Sequence, residues 1–213
     1  MGQWLNERFH SGEAWENFKQ HPVPVHAMNP IYCLGGLTFL SFIIQALTGI
    51  ALAFYYQPSP DGAYTSIQFL QQEVNFGRII RSIHHWTANI MIVLVLLHIC
   101  RVFYTGSFKK PRELNWVAGS LLFMITLAFG FTGYLLPWDQ LSYWASMVGT
   151  EIVGGIPLIG HSLMLFLRGG LNITSWTLTR FYTLHIMVLP LLALLLMAFH
   201  FIMVRIQGIS DEL

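Results

Sequence analysis

The stretch RSIHHWTANIMIVLVLLHICR, residues 81–101, combines two properties that work against each other. No residue between Arg81 and Arg101 carries a full charge, and the run is long enough to cross a bilayer, whose hydrocarbon core takes about 20 apolar residues. It nevertheless contains three histidines, His84, His85 and His98. A titratable ring inside hydrocarbon is costly and therefore marks a candidate functional residue.

The composition of the whole chain is that of a membrane protein. Of its 213 residues, 54% are hydrophobic and only 10% are charged, and the mean hydropathy is +0.56. A soluble domain carries about 25% charged residues. The net charge of +1 gives no reason to expect a nucleic-acid partner. Four uncharged runs are long enough to span the membrane: residues 31–56, 82–100, 114–138 and 181–204.

We predict an interfacial segment, residues 1–30, followed by one four-span domain, residues 31–213. Residues 3–19 can place apolar side chains on one face of a helix that lies on the membrane. The alternative is a flexible polar tail. Charges interrupt this segment too often for a cleavable signal peptide. The connection over residues 139–180 should form short helices on the outer surface.

The charges at the span ends predict the orientation of the chain. Four spans place both termini on one side of the membrane. That side carries seven Lys and Arg residues, and the other side carries four. The positive-inside rule therefore predicts that both termini face the cytoplasm or its topological equivalent.

The second and fourth spans run in the same direction, and each carries two histidines. His84 and His98 are fourteen positions apart, and His185 and His200 are fifteen apart. On an ideal helix these steps fall about 40° short of four turns and about 60° beyond them, and both climb roughly 21–22 Å. His84 should therefore face His185, and His98 should face His200. Two facing imidazoles are the ligand set of bis-histidine haem.

The alternative for one intramembrane histidine is a hydrogen-bonded packing role. Four histidines matched in depth on two parallel helices favour ligation over packing. Glycines repeat the same period on the other two spans, at Gly35 and Gly49 and at Gly119 and Gly133. We expect these glycines to leave room for a haem, and the alternative is close helix–helix contact of the small-residue type.

These features, with SIHHWTANIMIVLVLLHICRVF, GSFKKPRELNWVAG and FGFTGYLLPWDQLSYWA, resemble the cytochrome b family of quinol-oxidising bc-type complexes. The resemblance extends from about residue 30 to the C-terminus. Within the family it is closest to the short split form, the b6 type. The chain has four spans where the long form has eight, fourteen residues separate His185 from His200, and YCLGG places Cys33 where the split form attaches an extra haem.

The resemblance implies a role for each of these residues. His84 and His185 would bind a b-type haem near the outer side, and His98 and His200 a second one near the inner side. Cys33 would hold an additional c-type haem through one thioether bond, next to the inner haem. This covalent haem comes from the resemblance alone, because no ordinary c-type attachment motif is present.

Further contacts are implied at the membrane edges. Arg205 matches a position near the inner quinone pocket, and PWDQ (residues 137–140) begins the wall of the outer quinol-oxidation pocket. The chain departs from the family at His85, where an Arg commonly follows the first ligand, and at Ile206, where a basic residue is common. Guanidinium groups that could pair with haem propionates belong to Arg81, Arg101 and Arg112.

The fold class expected is an all-α membrane protein, a four-helix bundle around two b-type haems. The implied function is that of a subunit of a quinol:cytochrome c or plastocyanin oxidoreductase in a bacterial cytoplasmic or thylakoid membrane. It would not be complete alone. The implied partners are a three-span subunit IV-like protein with the acidic quinol-site loop, a Rieske iron–sulfur protein, a c-type cytochrome subunit, lipids and a second copy in a dimer. The alternatives are a dihaem anchor of a respiratory dehydrogenase and a haem-free transporter or assembly subunit.

Overall fold

The computed structural model describes residues 2–9, 29 and 32–208, and every regular element in that part of the chain is helical. The elements are α1 (Gly2–Phe9), α2 (Leu34–Ala53), α3 (Ala63–Gln72), α4 (Gly77–Tyr104), α5 (Glu113–Leu135), α6 (Gln140–Gly154), α7 (Gly160–Arg168), α8 (Ser175–Thr183), a π-helical turn (Leu184–Val188) and α9 (Leu189–Gln207).

Four helices have the length and apolarity of membrane spans. They contain 20 to 33 residues, and at about 1.5 Å per residue even the shortest reaches the roughly 30 Å of a hydrocarbon core. Their large apolar side chains are widely exposed, for example Leu47 at 65% and Leu195 at 66%, as lipid-facing residues should be. The predicted four-span, all-α fold is confirmed. The spans are α2, α4, α5 and the continuous helix from Ser175 to Gln207.

Contacts divide the chain into two compact units, and each unit takes one end of every span. The first combines the described residues up to Phe42 with Ile90–Leu127 and the chain from Leu191 onward. The second combines Ile43–Asn89 with Ala128–Pro190. The predicted division at residue 30 into an interfacial segment and a membrane domain stays a prediction, and residues 10–28 of that segment lie outside the described residues.

In the first unit, α1 is fastened by Arg8 and not by an apolar face alone. Arg8 is only 2% exposed, and its guanidinium lies 2.8 Å from the Glu113 carboxylate and 4.3 Å from the centre of the Trp4 ring. The Gln207 side-chain amide donates to the backbone carbonyls of Arg8 (3.2 Å) and Pro111 (3.0 Å). The end of α1, the start of α5 and the end of α9 are thus held together by polar contacts.

In the second unit, α8 begins the fourth span, and the connection between the third and fourth spans forms the short helices α6 and α7, as predicted. Arg168 at the end of α7 is 4% exposed and joins them. Its guanidinium donates to the Thr150 hydroxyl (2.7 Å), the Glu151 carboxylate (2.8 Å) and the Leu171 carbonyl (3.1 Å). A buried charge needs such partners, and removing them is costly.

The PWDQ turn owes its shape to a helix cap. Asp139 is the N-cap of α6, and its carboxylate accepts hydrogen bonds from the backbone N–H and the hydroxyl of Ser142, both at 2.8 Å. Just before it, the Leu136 carbonyl accepts a hydrogen bond from the Tyr56 hydroxyl at 2.6 Å. Tyr56 lies beyond the end of α2, where burial, and then the nearby Tyr182 phenol, raises its pKa. Tyr56 therefore stays protonated and keeps this bond.

Candidate functional site

The second unit brings His84 and His185 together. His84 lies on α4 and His185 in the π-helical turn, and their ring centroids are 6.4 Å apart with ring planes at 71°. An imidazole nitrogen binds a metal at about 2 Å. With each ring centre about 1 Å behind its nitrogen, two rings on opposite sides of one metal have centroids roughly 6 Å apart. The spacing of this pair suits a single metal held from both sides.

The first unit contains the other two histidines, His98 on α4 and His200 on α9. The two imidazole rings are close enough for a charge on one to act on the other. The Nδ1 atoms of both rings are buried and have no hydrogen-bond partner among the described residues, although the Asn115 backbone carbonyl lies near the His200 ring. Each unit thus holds one of the two pairs that the sequence spacing predicts, and the ligand roles stay predictions.

The four repeated glycines each lie against one of these histidines. A Cβ built on any of them would come within 2.7–3.3 Å of a Cε1 atom, which is closer than ordinary van der Waals contact. The sequence predicted that the glycines make room for a cofactor, and the structure shows an imidazole ring against each of them. The pairs are Gly35 with His98 (3.0 Å), Gly49 with His84 (3.3 Å), Gly119 with His200 (3.3 Å) and Gly133 with His185 (2.7 Å).

The π-helical turn explains the unequal histidine spacing. It runs over Leu184–Val188 and contains His185, and the backbone N–H of Leu189 bonds to the carbonyl of Leu184. Such a turn accommodates one residue more than an α turn and often occurs at functional positions. It takes up the extra residue that makes the His185–His200 spacing fifteen where the spacing on α4 is fourteen. Hydropathy and propensity gave no signal for this turn.

Side chains of α2 and α5 hold the pair in the second unit. The Thr48 hydroxyl lies 2.9 Å from His84 Nδ1, and the Thr132 hydroxyl lies 3.0 Å from His185 Nδ1. The Gln45 side chain also donates to the His84 backbone carbonyl at 2.6 Å. Sequence analysis missed these residues. One signal was available, because each threonine directly precedes a glycine of the fourteen-residue period.

Two of the predicted arginines carry buried donors in the first unit. Arg101 lies over the Tyr32 ring, with its guanidinium carbon 4.4 Å from the ring centre, and its Nε and one terminal nitrogen are buried without a described partner. Arg112 donates to the Gln207 carbonyl at 3.3 Å, and its Nε is likewise buried without a described partner. Buried unsatisfied donors are costly, and an anionic carboxylate is their strongest partner.

The remaining edge positions differ from one another. Arg81 donates to the Gln71 side chain at 3.2 Å, and Arg205 is half-buried on α9. His85 is exposed on α4. Ile206, which stands where a basic residue is common, is only 8% exposed. The apolar side chain at this position is therefore packed in the protein.

Cys33 lies in the same unit as the histidine pair formed by His98 and His200. It is a free, half-buried cysteine directly before α2, and a Cβ on Gly36 would lie 3.3 Å from its sulfur. Gly35, the glycine that contacts His98, is two residues further on. The thiol thus lies on the chain segment that lines this pair.

The donor set fits haem better than a metal site built from protein ligands alone. Structural and catalytic zinc sites take three or four protein ligands, and in the described part of the chain no three His, Cys, Asp or Glu side chains are placed so that they could hold a metal ion together. Each pair instead offers two imidazoles, the ligand number of a six-coordinate haem whose macrocycle fills the other positions. The buried arginine donors suit the carboxylates of such a group.

A four-span helical membrane protein with two such histidine pairs is a membrane cytochrome of the b type. The comparison with known families agrees. The family described as Cytochrome b/b6/petB matches residues 18–208, and the chain belongs to this family.

The chain is similar to known relatives over nearly its full length. It is 54% identical over 212 residues to "Cytochrome b6" of Heliomicrobium gestii, covering 99% of this chain and 100% of that protein. It is 48% identical to "Cytochrome b6" of Porphyra purpurea, covering 99% and 97%. A chain of the solved "Hyperthermophilic respiratory Complex III" matches with a TM-score of 0.82 and 32% identity. That match covers 99% of this chain and 56% of the other.

Proposed function

We propose that this chain is the cytochrome b subunit of a quinol-oxidising bc-type complex, holding two b-type haems and one covalent haem. The observation that carries the proposal is the seating of four histidines, in two pairs, each against its own glycine. The family membership supports it. Neither alternative function, a haem-free transporter or a dehydrogenase anchor, explains both the histidine–glycine pairing and membership of the cytochrome b family.

The histidines would hold the haems at two depths of the membrane. His84 and His185 would bind one near the outer side, and His98 and His200 the other near the inner side. Haem bound in this way supplies reversible one-electron transfer. The chain's own contribution is to fix the ligands, exclude water and give the Nδ1 atoms of His84 and His185 a hydroxyl partner.

Charged groups at the inner end would orient the cofactors. The buried donors of Arg101 and Arg112 would bind haem propionates, and Arg205 would lie beside the inner quinone. Arg81 would serve the outer haem, and the turn at residues 137–140 would form part of the outer quinol pocket. Quinol oxidation at the outer side and quinone reduction at the inner side would release protons outside and take them up inside.

Cys33 would carry the covalent c-type haem. Its position on the segment that reaches His98 supports this assignment, as does the resemblance of YCLGG to the split form. The other cysteine of the sequence, Cys100, lies on α4 and is not part of the YCLGG segment. Attachment would therefore use a single thioether bond.

The enzyme would need further subunits to act as an oxidoreductase. The chain spans 56% of the matched Complex III chain. We propose a three-span subunit IV-like protein with the acidic quinol-site loop, a Rieske iron–sulfur protein, a c-type cytochrome subunit and bound lipids, assembled as a dimer. Cytochrome c or plastocyanin would accept the electrons. Both termini would face the negative side of the membrane.

The experiment is a reduced-minus-oxidised spectrum with haem quantitation on the purified complex. We expect two noncovalent b-type haems in the native protein. His98→Leu and His200→Leu should each remove the inner haem and leave the outer one. His85→Leu is the matched control, because this exposed histidine adjoins His84 on the same helix. Two full haem equivalents in both ligand variants would contradict the pairing.

A further inference from the structure

The two histidine pairs differ in what their Nδ1 atoms contact. In the outer pair, each Nδ1 lies within hydrogen-bond distance of a threonine hydroxyl, Thr48 for His84 (2.9 Å) and Thr132 for His185 (3.0 Å). In the inner pair, neither Nδ1 has a hydrogen-bond partner among residues 2–9, 29 and 32–208, although the Asn115 backbone carbonyl lies near the His200 ring. The outer pair is therefore anchored in a way that the inner pair is not.

The direction of these hydrogen bonds follows from the hydroxyls. The Thr48 hydroxyl oxygen also lies 2.6 Å from the Ile44 carbonyl, and that of Thr132 lies 2.7 Å from the Ala128 carbonyl. A hydroxyl has one proton, and a carbonyl can only accept. Each threonine therefore donates to its own helix, and each imidazole donates its Nδ1–H to the threonine oxygen. This fixes the tautomer in which Nε2 keeps the lone pair that binds a metal.

The residues that precede the four repeated glycines show the same difference between the two pairs. Thr48 precedes Gly49, and the corresponding residue before Gly35 is Leu34. On the other helix, Thr132 precedes Gly133 and Ala118 precedes Gly119. Both threonines thus occur on the outer side and neither on the inner side.

A hydrogen bond from Nδ1–H makes the imidazole a more basic ligand and holds its ring in one orientation. A more basic ligand stabilises the more highly charged, oxidised iron. The threonine hydroxyl is itself polarised by its bond to the carbonyl, which strengthens the bond it accepts.

We propose that Thr48 and Thr132 are positioning residues that fix the orientation of His84 and His185 and lower the reduction potential of the haem they bind. This inference rests on the haem ligation proposed above. It assigns a task to two side chains that touch neither haem iron nor quinone.

The test is a spectroscopic redox titration of the purified complex carrying Thr48→Val, Thr132→Val or both. We expect the midpoint potential of the outer haem to rise, more in the double variant than in either single one, while the inner potential stays unchanged. The ferric low-spin EPR signal of the outer haem should shift as well, because it reports the relative orientation of the imidazole planes. Thr48→Ser and Thr132→Ser keep the hydroxyl and should restore both values.

Matched controls lie on the same two helices. Thr38 and Thr126 donate to the carbonyls of Leu34 and Leu122, each at 2.9 Å, with no described bond to a histidine. Thr38→Val and Thr126→Val should leave both potentials unchanged. An unchanged outer potential in the Thr48 and Thr132 variants, or an equal shift of both haems, would overturn the inference. Absence of b-type haem from the native chain would instead overturn the proposed function.

Discussion

At the scale of single residues, the site is built from glycine and histidine side by side. At each glycine of the fourteen-residue period, an added Cβ would lie 2.7–3.3 Å from an imidazole Cε1 atom, closer than ordinary van der Waals contact. Protein interiors are too tightly packed to absorb such a collision without movement. The glycines are therefore part of the histidine geometry, and their spacing matches the histidine spacing for that reason.

Gly133 leaves the least room of the four, since an added Cβ would lie 2.7 Å from His185 Cε1. Overpacking of this kind costs about 1–3 kcal/mol, which corresponds to a tenfold or greater weakening of haem retention at the upper end of that range. Gly133→Ala should therefore lose outer haem selectively, as measured by haem quantitation and difference spectra.

Two further variants test whether haem loss depends on how closely the added Cβ approaches the imidazole. Gly49→Ala should lose less outer haem, because its Cβ would lie 3.3 Å from His84 Cε1. Gly130→Ala, three residues before Gly133 on the same helix, is the control and should keep both haems. Equal haem content in all three variants would favour general helix packing as the role of Gly133.

Cys33 gives a second prediction at this scale. After denaturation and extraction of noncovalent haem with acidic acetone, haem peroxidase staining should remain at the mass of this chain. Cys33→Ala should abolish the staining because the thioether sulfur is lost, while Cys100→Ala should leave it unchanged. Staining that persists without Cys33, or that is missing from the native chain, would exclude the covalent haem.

At the scale of the helices, the fourth span contains a π-helical turn that corrects the orientation of its histidines. Fifteen residues on an ideal α-helix overshoot the histidine face by about 60°. The π-helical turn at Leu184–Val188 takes up one residue where His185 must face its partner. The π geometry thus reconciles the sequence spacing with the pairing.

Two single-residue deletions distinguish the effect of the π turn from the effect of the number of residues between His185 and His200. Deleting Met187 removes the extra residue inside the turn, and the π turn should become an α turn with both haems retained. Deleting Leu194 in α9 gives the same histidine spacing of fourteen but rotates the chain beyond it by about 100°. That variant should lose the inner haem, as measured by haem quantitation. The same haem content in the two deletion variants would show that the turn has no role in the register.

At the scale of the whole molecule, each compact unit contains one histidine pair and its own polar network. In the first unit, Gln207 joins the carbonyls of Arg8 and Pro111. In the second, Arg168 joins α6, α7 and the loop that follows. The networks involve no residue of the other unit, so damage to one should act on one haem first.

Gln207→Leu should release the inner haem at a lower temperature than in the native complex. The change removes two hydrogen bonds and leaves two carbonyls unpaired, at a cost of about 1–3 kcal/mol for each unsatisfied group. Arg168→Leu should release the outer haem first, because its partners lie in the second unit. The measurement follows the absorbance of both haems during heating. Simultaneous loss at the same temperature in both variants would contradict independent units.

The sequence determined the features that depend on local order along the chain. Apolar runs of sufficient length define the four spans, because backbone groups in lipid must be satisfied within a helix. The fourteen-residue recurrence of His84 and His98 placed both on one face of α4, since helical phase follows from residue count. Cys33 was singled out by its resemblance to a family motif, without any use of geometry.

The tertiary structure decided what depends on contacts between distant residues. Arg8 lies in the segment predicted to be interfacial, and it forms a buried ion pair with Glu113, a partner 105 positions away that no local pattern indicates. The hydroxyls of Thr48 and Thr132 contact histidines of other helices. Their positions before Gly49 and Gly133 mark them in the sequence, but the contact itself depends on how the helices pack. The π turn contains His185, and neither hydropathy nor helix propensity predicts it. Local periodicity fixes the face of a helix, and only packing fixes what that face touches.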